Sequence, residues 1–354
     1  EMRELPSSSI SLIITSPPYP MIEMWDALFS SMNSEIKEAL EQKEGKTAFR
    51  LMHQELEKIW KECKRVLVPG GITCVNIGDA TRKLDKTFQL YPNHVKITEF
   101  FNTHGFISLP FILWRKPTNS PTKFLGSGML PPNAYITLEH EYILIFKKGN
   151  KSRHFPPKSE NRYKSAYFWE ERNTWFSDVW MDIQGTSQFM ETEGNEEIRE
   201  RSAAYPLELP YRLINMFSVY GDTILDPFWG TGTTTLAAMV CARNSIGYEI
   251  NSEFKKIFES NVQNLTELAN SLYLKRLNEH KDFIKEYQKE KKEPKYTSIH
   301  YDFPVITKQE QYILIYSIDR VKSKENNFII KYKPFYHYEE KRRKKVQSRL
   351  FPNE

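Results

Sequence analysis

The apolar run Ile10-Ser11-Leu12-Ile13-Ile14 stops at Thr15-Ser16-Pro17-Pro18-Tyr19, and this junction constrains the fold more than any other stretch. A short apolar run bounded by a turn reads as a buried strand. Pro17 and Pro18 fix their own φ near about −65° and push the residue before each away from helix, so the backbone leaves the strand in one stiff, extended conformation. Pro18 has no N–H to extend a ladder, which leaves the Pro17 carbonyl beside the Ser16 hydroxyl as a second acceptor. Two acceptors facing one point can grip an exocyclic amino group. Tyr19 adds a flat face on which a heteroaromatic ring can stack, for roughly 1–3 kcal/mol by analogy with base stacking. Taken alone, the same five residues also describe a proline-rich strand exit with a packed tyrosine.

A second element lies far downstream. Asp222-Thr223-Ile224-Leu225-Asp226-Pro227-Phe228-Trp229-Gly230-Thr231-Gly232-Thr233-Thr234-Thr235 reads as strand, glycine turn and helix, the helix running on through Met239. Gly230 and Gly232 let the backbone approach a ligand, and the helix start offers free N–H groups. The strand Ser245 to Ile250 follows and carries Glu249, where nucleoside-binding α/β folds place an acid for ribose hydroxyls, about 20 residues after the glycine turn. A P-loop would need Lys after Gly232, where Thr233 stands. A dinucleotide fingerprint would need a third small residue where Thr235 stands. A plain tight turn stays open for an isolated Gly-x-Gly.

Together the two elements resemble the permuted, β-arrangement family of DNA amino-methyltransferases, in which the Ser/Asp-Pro-Pro-Tyr half precedes the S-adenosylmethionine half. Between them stand Arg65 to Gly71, Val75-Asn76-Ile77-Gly78-Asp79, Trp114-Arg115-Lys116, His140 to Lys148 and Ala203 to Pro210, which look like the family's intervening motifs in its order. The resemblance covers residues 5 to 255. It implies a Rossmann-like α/β methyltransferase fold, mostly parallel with an antiparallel edge strand, plus a smaller basic C-terminal region. It implies Ser16, Pro17, Pro18 and Tyr19 as the catalytic set. Asp226, Pro227, Phe228, Gly230, Gly232, Thr233, Thr234 and Glu249 would hold S-adenosylmethionine, with no metal. Double-stranded DNA is the expected partner, with a cognate restriction endonuclease and a homodimer as further candidates. In the family Ser-Pro-Pro-Tyr goes mostly with N4 of cytosine and Asp-Pro-Pro-Tyr mostly with N6 of adenine. Ser16 therefore favours cytosine, with adenine as the alternative. An RNA methyltransferase and an inactive DNA-binding relative are the readings from other classes. Family members commonly carry a strand ending in Gly-Asp before the point where this sequence has Glu1-Met2-Arg3-Glu4-Leu5.

The expected organisation is a catalytic half over residues 1–148, an insertion over 149–202, a cofactor half over 203–265 and a C-terminal extension over 266–354. Strands alternating with helices imply a mostly parallel sheet covered on both faces. Met52, Leu56, Ile59, Trp60, Cys63 and Leu67 mark a one-faced helix, ended by Pro69-Gly70-Gly71, and Ile72 to Ile77 reads as the next strand. Residues 94–104 read as helix, 107–114 and 142–146 as strands, and 119–132 as a loop over the strand ends. Residues 149–202 mix Arg162, Tyr163, Tyr167, Phe168, Trp169, Arg172, Trp175, Phe176 and Trp180 without clear periodicity. That mixture suggests a binding insertion rather than core, suited to target recognition or to packing beside the cofactor. Phe254 to Leu265 gives an amphipathic helix, and 311–318 and 327–332 read as two short strands.

Charge is unevenly placed. Residues 251–354 hold 22 Lys+Arg against 15 Asp+Glu, more than the whole chain's formal +5. The densest run, Lys341 to Lys345, follows Tyr332, Phe335, Tyr336 and Tyr338, and basic residues among aromatics suit a phosphate backbone and exposed bases. A solvated tail fits the same run. No apolar run approaches the roughly 18 residues that cross a bilayer, so a soluble, cytoplasmic protein is expected. Cys63, Cys74 and Cys241 lack ligand spacing, which argues against zinc or a disulfide frame. Asp79, His140 and Glu141 could each line the cleft or serve the turn or strand in which they stand.

Overall fold

The computed structural model describes residues 2–116, 125–184, 205–325 and 327–336. Its centre is an eight-stranded sheet of β1 (Ile10–Thr15), β2 (Leu67–Ile77), β3 (Phe106–Ser108), β4 (Ile112–Arg115), β5 (His140–Lys148), β6 (Val179–Trp180), β7 (Thr223–Asp226) and β8 (Asn244–Gly247). The order across the sheet is β6-β4-β5-β2-β1-β7-β8, with β3 also on β5. β1 pairs in parallel with both β2 and β7, as β7 does with β8 and β6 with β4. β5 alone runs against its neighbours. The sheet is mostly parallel, as the alternating pattern implies.

The antiparallel strand is not at the edge. β5 lies inside the sheet, with β2 along one side and β3 and β4 along the other, and β6 and β8 form the edges. Its run Ile143-Leu144-Ile145-Phe146 is buried throughout, as a strand covered on both faces and both sides must be.

Side chains alternate across the pleat. Leu12, Ile14, Ile143 and Ile145 enter one apolar cluster, and Ile13, Leu144 and Phe146 enter the other. The second face is closed by α1 (Gly45–Val66) and α2 (Asn93–Thr103), through Trp60 and Phe101. The first is closed by α3 (Glu208–Phe217), α4 (Thr233–Val240), α5 (Glu253–Gln263) and α6 (Leu265–Lys289). Pro69-Gly70-Gly71 lies within β2, not before it: the register against β1 jumps from Ile10↔Leu67 to Leu12↔Ile72, so the three residues form a bulge, with Gly70 at φ +75°.

Phe168, Trp175 and Trp180 of the segment after β5 are buried in the first cluster, and Val179–Trp180 extends the sheet beside β4. Ala269, Tyr273 and Leu277 of α6 join the same cluster. The hairpin β9 (Tyr316–Lys324) and β10 (Asn327–Pro334) is fixed to it where Tyr332 donates to the Met239 carbonyl at 2.8 Å. The basic run Lys341 to Lys345 lies outside the described residues. Among the described residues no helix is long and apolar enough to cross a membrane.

Candidate active site

β1, β2, β4 and β7 all end at the same edge of the sheet, where open α/β folds place their ligands. Ser16 follows β1 directly, and the glycine turn follows β7, its immediate neighbour. Leu12 pairs with Ile224 and Ile13 with Leu225, so Thr15 and Asp226 come to the tips side by side. There Thr15 Oγ1 donates to Asp226 Oδ1 at 2.6 Å.

Asp226 is 2 % exposed and collects three further donors: Thr234 Oγ1 at 2.7 Å, the Phe228 N–H at 3.1 Å and the Tyr205 hydroxyl at 3.4 Å. Burial pushes its carboxyl above the usual carboxylate range, and these hydrogen bonds pull the other way. The carboxylate thus ties the Ser16 strand, the turn and the start of α4 into one unit. Pro227 is buried beside it, and Phe228 lies edge-on to Trp60 at 5.6 Å.

The glycine turn has an inner and an outer side. Among the described residues, a Cβ on Gly230, at φ +52°, would meet no protein atom within 4 Å, so the backbone there borders open space. Its N–H donates to Glu249 Oε2 at 2.7 Å, and Glu249 Oε1 accepts the Asn251 N–H at 2.9 Å. A Cβ on Gly232 would stand 2.4 Å from Phe258 and 2.7 Å from Trp229, so this glycine serves packing. Trp229 fills the outer side, donating from Nε1 to Thr235 Oγ1 at 2.7 Å, and lines a cleft of ≈ 540 Å³ with Glu249, Lys255, Phe328 and Tyr332. No side chain caps the start of α4, which leaves first-turn amides at Thr233 and Thr234 for a ligand carboxylate. Open space at Gly230, an uncapped helix start and an acid at the next strand tip fit the methionine and ribose parts of S-adenosylmethionine.

On the other side of Thr15, Ser16 Oγ lies 3.1 Å from the Tyr19 hydroxyl, which donates to Glu141 Oε2 at 3.0 Å. Asn76 Nδ2 donates both to Tyr19 at 2.9 Å and to Glu141 Oε2 at 2.7 Å, and Lys116 Nζ reaches Glu141 Oε1 at 3.1 Å. Burial, with the Glu141 charge, holds the Tyr19 phenol far above its ordinary range. Among the described residues the Pro17 carbonyl accepts no backbone hydrogen bond. The nearby Pro20 is anchored through its carbonyl by Asn93 Nδ2 at 3.1 Å, which also donates to Gly78 O at 2.9 Å. His53 Nε2 meets Asn93 Oδ1 at 2.9 Å from beneath, and burial pulls its imidazole down to about 4.

Of the residues left open, Glu141 enters the Tyr19 cluster. Asp79 instead receives the His94 N–H at 3.1 Å and the His94 ring at 2.8 Å, a helix-start role. His140 packs edge-on to Tyr142. Sequence reasoning did not single out Thr15, Asn76, Asn93 or Tyr205. Asn76 carried a signal, a polar residue inside an otherwise apolar strand.

A family model described as DNA methylase matches residues 10–260. The chain belongs to this DNA methylase family. As a DNA methylase of the N6/N4 amino-methyltransferase kind it uses S-adenosylmethionine as methyl donor. It is 52% identical over 353 residues, 99% of this chain and 96% of the relative, to the Type II methyltransferase M.MthZI of Methanothermobacter thermautotrophicus. It is 54% identical over 273 residues, 74% of this chain and 88% of the relative, to the Type II methyltransferase M.MjaI of Methanocaldococcus jannaschii. Among solved structures it is similar to the S-adenosyl-L-methionine complex of a Thermus thermophilus protein assigned as a DNA modification methylase, at 29% identity and TM-score 0.56, over 75% of this chain and 89% of that one. The PvuII DNA methyltransferase, described as cytosine-N4-specific, matches at 17% identity and TM-score 0.50 over 76% of this chain and 87% of that one, a likeness of fold.

Proposed function

We propose that this DNA methylase methylates N4 of a cytosine swung out of duplex DNA, as the modification half of a Type II restriction-modification pair. The observation that carries it is the Thr15–Asp226 bond, which sets Ser16 beside the glycine turn. Ser16 in place of Asp favours cytosine over adenine, by the family's usual correspondence.

An amino group on a base is planar and a poor nucleophile, because its lone pair is delocalised into the ring. Ser16 Oγ and the Pro17 carbonyl, each accepting one of its hydrogens, favour a pyramidal nitrogen with the lone pair aimed at the methyl donor. Tyr19 stacks on the swung-out base. Phe228, Gly230, Thr233 and Thr234 border the donor's methionine and adenosine parts, Asp226 and Gly232 hold the turn in place behind them, and Glu249 exchanges its backbone partners for the ribose hydroxyls. Bound S-adenosylmethionine supplies a methyl group on a positively charged sulfur, so positioning does most of the work.

The strand tips also carry a rim suited to duplex DNA. Between β4 and β5 a hairpin pairs Leu125–Gly126 with Ala134–Tyr135, and Met129, Leu130 and Ile136 around it are 81, 70 and 86 % exposed. Apolar side chains on such a rim can wedge into the stack that a swung-out base leaves. The segment 149–202 and the C-terminal region are the candidates for reading the surrounding sequence.

The test is methylation of duplex DNA with the purified protein, followed by digestion to nucleosides and identification by mass. N4-methylcytosine is expected. N6-methyladenine would move the proposal to adenine, and transfer to RNA in preference to DNA would overturn it.

A further inference from the structure

The Tyr19 phenol has one hydrogen and two lone pairs, and its three neighbours use all of them. The hydrogen goes to the Glu141 carboxylate at 3.0 Å, and one lone pair accepts from Asn76 Nδ2 at 2.9 Å. Only an acceptor position remains toward Ser16 Oγ, 3.1 Å away, so the serine hydroxyl donates there. Ser16 Oγ then faces its cleft with lone pairs alone. Glu141, through Tyr19, turns the serine into a pure acceptor for an amino hydrogen.

We propose that Ser16, Tyr19 and Glu141 form a proton relay, in which Glu141 receives the proton that the amino group sheds on methylation. It rests on the methyl-transfer function proposed above and applies to either base. The nitrogen lone pair forms the new N–C bond while the carbon–sulfur bond breaks and its pair stays on sulfur. The nitrogen, now positively charged, gives one proton to Ser16 Oγ. The serine's own hydrogen passes to the Tyr19 oxygen, and the Tyr19 hydrogen passes to Glu141 Oε2. Serine and tyrosine end neutral with the direction of their hydrogen bonds reversed, the base is neutral, and Glu141 is a carboxylic acid. The second and third transfers follow hydrogen bonds already in place, and the buried phenol stays neutral and conducts without acting as a base. The Glu141 side chain is 13% exposed, which gives the proton an exit to solvent.

Glu141 is thus a positioning residue with a second task, and two variants separate that task from mere support. Glu141→Gln keeps an acceptor for Tyr19 but cannot take the proton. Tyr19→Phe keeps the ring and cuts the chain. Single-turnover methyl transfer to DNA should fall about 100-fold in each, the lower end of what a positioned acid–base group supplies. Affinities for S-adenosylmethionine and DNA, measured separately, should stay within about twofold, and the double variant should be no slower than the worse single one, as for residues that act as a unit. Transfer by Glu141→Gln within about twofold of the wild type, or multiplying losses in the double variant, would overturn the relay. Absence of transfer by the wild type would instead strike the proposed function itself.

Discussion

Thr15 and Asp226, 211 positions apart in sequence, share a hydrogen bond of 2.6 Å at the tips of neighbouring parallel strands. The bond is short because a hydroxyl meets a carboxylate, and the buried setting leaves neither group to water. It makes the distance between the serine that would hold the base and the turn that would hold the donor a property of the sheet, not of two loops.

Thr15→Val keeps the shape of the side chain and removes the donor. Asp226 then loses one of four partners while remaining buried, which costs about 1–3 kcal/mol. Denaturant unfolding should show that loss, and affinity for S-adenosylmethionine should weaken with it, because the same carboxylate holds Thr234 and the Phe228 N–H.

The two glycines of the turn should respond differently to alanine. Gly232→Ala puts a Cβ 2.4 Å from Phe258 at φ +77°, and overpacking of this kind costs about 1–3 kcal/mol before any backbone strain. Gly230→Ala meets no described protein atom within 4 Å but forces alanine to φ +52°, which costs about 1–2 kcal/mol, and its Cβ projects into the space where the donor would lie. Thermal melts with titrations of S-adenosylmethionine should show the larger stability loss for Gly232→Ala, which adds a clash to the strain, and the larger affinity loss for Gly230→Ala.

Acid should act through His53. Its folded imidazole sits at about 4 because burial opposes the charge, against 6.5 when unfolded. The unfolded chain therefore binds the proton first as pH falls, and the stability present above pH 6.5 is lost progressively down to about pH 4. At full extent the loss is about 3 kcal/mol. Urea unfolding across that window should show a shallower fall for His53→Gln, which can still donate to Asn93.

The parts of this fold that were legible in the sequence are those whose information is local. Pro17, Pro18, Gly230 and Gly232 announce turns by their own backbone chemistry, and apolar runs announced β1, β5 and β7. Sheet order is not local, so the partnership of Thr15 with Asp226 could not be read from either segment. The resemblance implied an antiparallel strand at an edge, yet that strand is β5, whose apolar run lies inside the sheet with cover on both faces. Pro69-Gly70-Gly71 reads as a terminator, yet parallel pairing on both sides of it carries the strand through as a bulge. Phe168, Trp175 and Trp180 showed no period because they lie in short elements, each meeting the core once. Glu141 stood open in the sequence between serving its strand and lining the cleft, and only its place against Tyr19 decided it.

The most direct test of the account is single-turnover transfer of labelled methyl groups from S-adenosylmethionine to duplex DNA by the wild type and by Ser16→Ala, with affinity for the donor measured alongside. The account predicts label on a base amino group for the wild type, and for Ser16→Ala a loss of transfer of about 100-fold or more with donor affinity unchanged. Transfer by Ser16→Ala at the wild-type rate would contradict it.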